Sequence, residues 1–173
     1  MITSILLICA VLSAAPAMHS CESPKGQHPL GQIMFTKWWF DIYRASLYQP
    51  LGTKSAQLGQ PGTRLQITYL RSISHESLVK QTQKEWQYLK LESSLPLSHW
   101  SALLNQIWPD VSKGDCIEFR VLQNKSGAFY LGTQKIGQIE DPRFAPAFLS
   151  IWLSPGNHYP KLRRKLLGIS KGK

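Results

Sequence analysis

The chain has 173 residues, 43% of them hydrophobic and 10% aromatic, with 20 Lys+Arg against 10 Asp+Glu. That length fits one domain with a sizeable core, the aromatic content excludes a disordered tract, and three cysteines are too few for a disulfide scaffold. The net charge of +10 is concentrated: Lys161, Arg163, Arg164, Lys165, Lys171 and Lys173 close the chain with no acidic residue among them, so the body is only mildly basic.

Met1 to Ala17 carry no charged side chain. Ile5 to Leu12 form an apolar run too short to cross about 30 Å of hydrocarbon, and Ala15-Pro16-Ala17 fits the small-x-small cleavage rule. Residues 1–17 therefore read as a secretory signal peptide, 18–30 as a flexible leader, 31–168 as the domain and 169–173 as a basic tail. No later stretch is apolar enough for a membrane span. The expectation is an exported protein, periplasmic or secreted. Cys21 offers a lipid anchor, although Met18-His19-Ser20 is a poor approach to an acylated cysteine. An oxidising compartment would permit a Cys21–Cys116 bridge. Cys21 falls in the leader and Cys116 opens a strand, so a buried free Cys116 is the expected state.

Along the chain, Ile33 to Tyr48 reads as two strands bent near Lys37–Trp39. Pro50 to Gly62 is a loop. Arg64 to Ile73 alternates, with Leu65, Ile67 and Tyr69 on one face. Ser74 caps a helix whose stripe is Leu78, Val79, Trp86 and Leu89. Ser98 caps a second, carrying Trp100, Leu103, Leu104 and Ile107, which Pro109 stops. Cys116–Leu122, Ala128–Leu131 and Lys135–Ile139 form a three-stranded antiparallel meander, with Asn124-Lys125-Ser126, a formal glycosylation sequon, read as a turn. Asp141 and Pro142 open a helix with Phe144, Ala147, Phe148, Ile151 and Trp152 on its inner face. Tyr159 to Leu167 is a basic helix, where Arg163 and Lys165 are expected in water. The order gives an α+β class with helices on one face of a largely antiparallel sheet.

Five stretches in this order carry a resemblance: Tyr43 to Tyr48 after the Gly31 strand, Leu65 to Ile73, Asp110 to Asp115, Gly137 to Phe144 followed by Phe148 to Leu153, and Leu162 to Gly168. Together they resemble the bacterial chalcone isomerase-like proteins, small exported relatives of the plant chalcone isomerases, over about Gly31 to Gly168. The resemblance implies a long curved antiparallel sheet with helices packed on one face and a cleft between.

Chalcone isomerases close a ring by adding a phenolate oxygen to an enone, so their site stabilises developing oxyanions. The resemblance implies an arginine just after Gly31, a threonine on the second strand and a tyrosine–lysine–asparagine set on a helix. Here Gln32, Ile33 and Met34 follow Gly31, Tyr43 takes the threonine position, and Trp100, Leu103 and Ile107 take the helical ones. Asn105 stands on another side of that helix. With one oxyanion donor alone typically worth about 10²–10³ in rate, no catalytic residue is assigned and chalcone cyclisation is not expected. The related plant fatty-acid-binding proteins suggest instead a small apolar or amphipathic ligand, such as a fatty acid. Tyr43, Tyr69, Arg71 and Trp100 are the candidate ligand-binding residues. Each also has a plain structural alternative: core aromatics, and an arginine ending a strand.

The remaining signals are sparse. No histidine or cysteine spacing fits a metal site, no phosphate loop follows a strand, and no cofactor is implied. The basic end reads as a solvated helix plus tail, not a nucleic-acid surface. Two other functions stay open: an isomerase or intramolecular lyase on an unknown substrate, and an envelope accessory protein that binds another protein.

Overall fold

A computed structural model describes residues 18–50, 58–91 and 93–169. The expected signal peptide and the last four residues of the basic tail lie outside them. The order is β1 (Gly31–Lys37), β2 (Phe40–Tyr48), β3 (Arg64–Tyr69), α1 (His75–Tyr88), α2 (Leu97–Ile107), β4 (Cys116–Val121), β5 (Gly127–Leu131), β6 (Gln134–Ile139), α3 (Phe144–Leu153) and α4 (Pro160–Leu166).

The six strands form one antiparallel sheet in chain order, β1 to β6. Because side chains alternate along a strand, the register sorts them into rows on two faces. One row runs Ile33, Ala45, Ile67, Ile117 and Leu131; the next runs Leu47, Leu65, Phe119 and Phe129. These rows meet the helices. Trp86 of α1, Trp100 of α2 and Phe144 of α3 pack edge to face beside them, and the Trp86 indole N–H donates to the Ala147 carbonyl at 3.0 Å.

Local signals account for most boundaries. Ser74 caps α1, its hydroxyl accepting from the Ser77 N–H, and Asp110 accepts from the His75 N–H. The Asn124 carboxamide oxygen accepts from the Ser126 N–H and hydroxyl, closing the β4–β5 turn with Lys125 at φ 65°. Two caps differ from expectation. Helix α2 starts at Leu97 behind Pro96, without a Ser98 cap. Helix α3 starts at Phe144 behind Arg143, because Asp141 spends its carboxylate on the Arg143 backbone and guanidinium. The β1–α4 contact depends on Gly31: a Cβ there would collide with the Lys165 and Leu166 carbonyls.

The other face of the sheet carries polar groups that are nevertheless buried. Glu118 is 1% exposed and is held by Arg64, Arg120 and Gln66. The cover is the segment from Met18 to Leu30. Its Glu22 carbonyl accepts from Gln66, its His19 carbonyl accepts from the Cys116 N–H, and Cys21 is disulfide-bonded to Cys116. This corrects the expectation of a free Cys116. The leader is composed like a loose segment but lies against the sheet, where its backbone bonds bring Cys21 within reach. The bond also corrects the lipid-anchor alternative, since thioether acylation would need the same sulfur.

Candidate ligand-binding cavity

A cavity of about 280 Å³ lies between the β1–β4 end of the sheet and α1, α3 and α4. Its floor is Ile33, Ile67, Ile117 and Phe119, and its helical walls include Leu78, Ile151 and Leu162. The apolar lining follows from the rows described above: β1, β3 and β4 contribute alternate residues, and α1, α3 and α4 supply the opposite wall.

Two phenols project into this apolar space. Tyr43 stacks on Phe35 at 5.0 Å between centroids and stands edge-on to Tyr69 at 6.5 Å. Its hydroxyl accepts a hydrogen bond from the Trp152 indole N–H at 3.0 Å, which leaves its own proton free to donate. Tyr69 is 6% exposed, and its hydroxyl has no hydrogen-bond partner among the described residues. Burial pushes both phenols well above the ordinary phenol range. Both are therefore neutral donors at physiological pH, not phenolate bases.

Charged groups also line the cavity. Glu85 of α1 is buried, accepting from Gln81 at 2.7 Å and paired with His158 Nδ1 at 2.7 Å. The Tyr159 phenol is raised by burial and then by the Glu85 charge. On the other wall the Arg163 Nε donates to the Leu153 carbonyl at 2.7 Å, which fixes the guanidinium beside the cavity. Lys37 completes the lining.

Of the four candidate residues, the structure brings Tyr43 and Tyr69 together on the cavity wall and leaves the other two outside it. Arg71 is exposed and stacks over the Phe40 ring at 4.3 Å. Trp100 is fully buried against Trp86 and Phe144, away from the lining. Helix α2 as a whole contributes nothing to the cavity. The helix that faces it is α1, where Leu78, Gln81 and Glu85 repeat the spacing that Trp100, Leu103 and Ile107 have on α2. Arg163, expected in water, is on the cavity wall. Sequence reading missed Trp152, Glu85 and Arg163 as site residues. The available signal was Glu85: an acid seven positions after Leu78, on the helix's own apolar stripe. Downstream of Gly31, Gln32 turns to Ser46 on the other face and Ile33 lines the cavity, so no cation enters from β1 there.

Among the described residues, one group has metal-ligand types within reach: His75, Glu76 and Asp110, with ligand atoms within 4.8 Å of one another. Its geometry serves the start of α1, where Asp110 accepts from both the His75 backbone and ring.

Comparison with known proteins converges with this geometry. Residues 31–168 match the family described as chalcone isomerase-like. An uncharacterized protein of Haemophilus influenzae is 29% identical over 159 residues, covering 92% of this chain and 73% of that protein. The crystal structure of an Arabidopsis thaliana fatty-acid-binding protein superposes with a TM-score of 0.64 at 11% identity, covering 87% of this chain and 90% of that one. At that identity the likeness is one of fold.

Proposed function

The chain belongs to the chalcone isomerase-like family, and from that premise we propose that it is an exported binding protein for a small amphipathic ligand such as a fatty acid, without chalcone isomerase activity. The observation that carries this reading is the cavity. It is apolar over most of its wall, it holds two neutral phenol donors, and Lys37 and Arg163 are among its lining residues. At about 280 Å³ it lies near the lower edge of the roughly 300–1,000 Å³ usual for small-molecule sites, which favours one slender ligand. An acyl chain would lie over Ile33, Ile67 and Ile117, and a carboxylate would meet Arg163 or Lys37. The fold neighbour is a fatty-acid-binding protein, which agrees with this reading. Export is supported by the Cys21–Cys116 disulfide, a bond that persists in oxidising compartments.

Native mass spectrometry of gently purified protein tests the reading. A bound mass in the lipid range is expected. Protein that neither carries nor takes up any fatty acid would overturn it.

A second reading is an isomerase or intramolecular lyase, favoured by one observation: Glu85, a buried carboxylate that lines the cavity, is paired with the His158 imidazole. Turnover of a candidate substrate that survives Glu85→Gln unchanged would remove that pair from any catalytic role.

A further inference from the structure

The β1–β2 hairpin ends in three consecutive exposed large aromatics, of which the two tryptophans bury very little. Trp38 is 80% exposed, Trp39 86% and Phe40 55%. Water-facing aromatics in a run of this kind lose the transfer free energy that would normally place them inside. Trp38 also sits at φ 63°, the left-handed region that a bulky residue adopts only at a cost. Asn or Gly would serve the turn better, so the turn itself does not explain the tryptophan.

The surroundings of the tip are basic. Lys37 precedes it, and the Arg71 guanidinium lies over the Phe40 ring. Phe35 touches Tyr159 at 5.0 Å between centroids, which brings the start of α4, with exposed Lys161, to the same end of the molecule. Tyr159 and Tyr88 are also exposed there, joined through His158. The one nearby acid in the hairpin, Asp41, accepts from the Thr36 hydroxyl. Phe35 and Lys37, which lead into the tip, line the cavity.

We propose that the Trp38-Trp39-Phe40 tip docks this protein on an anionic lipid surface, with the cavity mouth turned toward the bilayer. Indoles prefer the headgroup region, where the ring is half dehydrated and its N–H stays hydrogen-bonded. Lys37, Arg71 and Lys161 add attraction to anionic headgroups, each contribution screened by salt. Phe35 and Lys37 join the tip to the cavity lining, which gives the docking a use: an apolar ligand would pass between membrane and cavity with little exposure to water. This goes beyond the ligand reading and does not depend on it, because the tip would bind vesicles whether the cavity is filled or empty.

Co-sedimentation of the purified protein with sucrose-loaded vesicles tests the proposal, using phosphatidylcholine alone and phosphatidylcholine with phosphatidylglycerol. Binding to the anionic vesicles is expected, weaker on the neutral ones and weakened by added salt. The double variant Trp38→Asn, Trp39→Ser should lower the affinity about tenfold or more, since both rings contribute by burial. Asn suits the left-handed turn, so the thermal midpoint of this variant should equal or exceed that of the parent. Absence of vesicle binding, or binding that the double variant leaves unchanged, overturns the proposal. A self-association lost in the double variant, with no vesicle binding, would assign the tip to a second copy of the chain instead. Lipid retention measured on the same samples separates failure of this proposal from failure of the ligand reading.

Discussion

Two arginines show how little a residue's type says about its task. Arg71, two residues beyond the end of β3, stacks on Phe40 at the surface. Arg163, in a run of basic residues, is bonded to the Leu153 carbonyl on the cavity wall. Replacing Arg163 with Gln should weaken a carboxylate ligand by about tenfold, the scale of one charge-assisted hydrogen bond, and leave a neutral analogue unaffected; titration of both ligands by calorimetry checks this. Tyr69→Phe removes a hydroxyl that no described residue bonds. It should leave the thermal midpoint unchanged or slightly raised while it lowers affinity for ligands with a polar head. Trp100→Ala behaves in the opposite way. It opens a void among Trp86 and Phe144, far from the lining, and should cost about 3–5 kcal/mol in denaturant unfolding.

At the scale of elements, the segment from Met18 to Leu30 is the largest surprise. Its composition, with Pro24, Gly26 and Pro29, is that of a loop, and it remains irregular. What holds it is the far face of the sheet, where Gln66 and Glu118 need cover and Cys116 offers a covalent partner. Cys21→Ser with Cys116→Ser should cost about 2–5 kcal/mol of stability, read as a lower denaturant midpoint, and reductant should do the same to the parent protein. Helix α4 depends on Gly31 in a comparable way. A side chain there meets backbone carbonyls that cannot rotate aside, so Gly31→Ala should displace α4 from β1 and destabilise by about 1–3 kcal/mol. The same shift would move Leu162 and Arg163, so ligand affinity should fall with it.

For the whole molecule, acid stability turns on the strap that closes the far face. Burial raises the Asp115 carboxyl, but hydrogen bonds from the Ser112 N–H and from the His19 backbone and ring outweigh it and hold the group below its ordinary 3.8. A depressed carboxyl contributes stability above its unfolded value and loses it as pH falls through the folded one. The protein should therefore lose stability below about pH 4, and Asp115→Asn should flatten that loss while it lowers stability at neutral pH; urea midpoints across pH measure both. Hydrophobic period and punctuation were enough, by themselves, to determine the element order and the class, because strand alternation, the Ser74 cap, Pro109 and the hairpin turns are local signals; the family came from the resemblance of five stretches in one order. The alternation put Tyr69 on a face with Leu65 and Ile67, and the resemblance singled out Tyr43. Only the tertiary structure decided that α1 rather than α2 walls the cavity, that Arg163 stands on the cavity wall, that Cys21 meets Cys116 across 95 residues, and that three aromatics stay outside the core. Each of those depends on which surface lies opposite, a long-range property that no window along the chain contains.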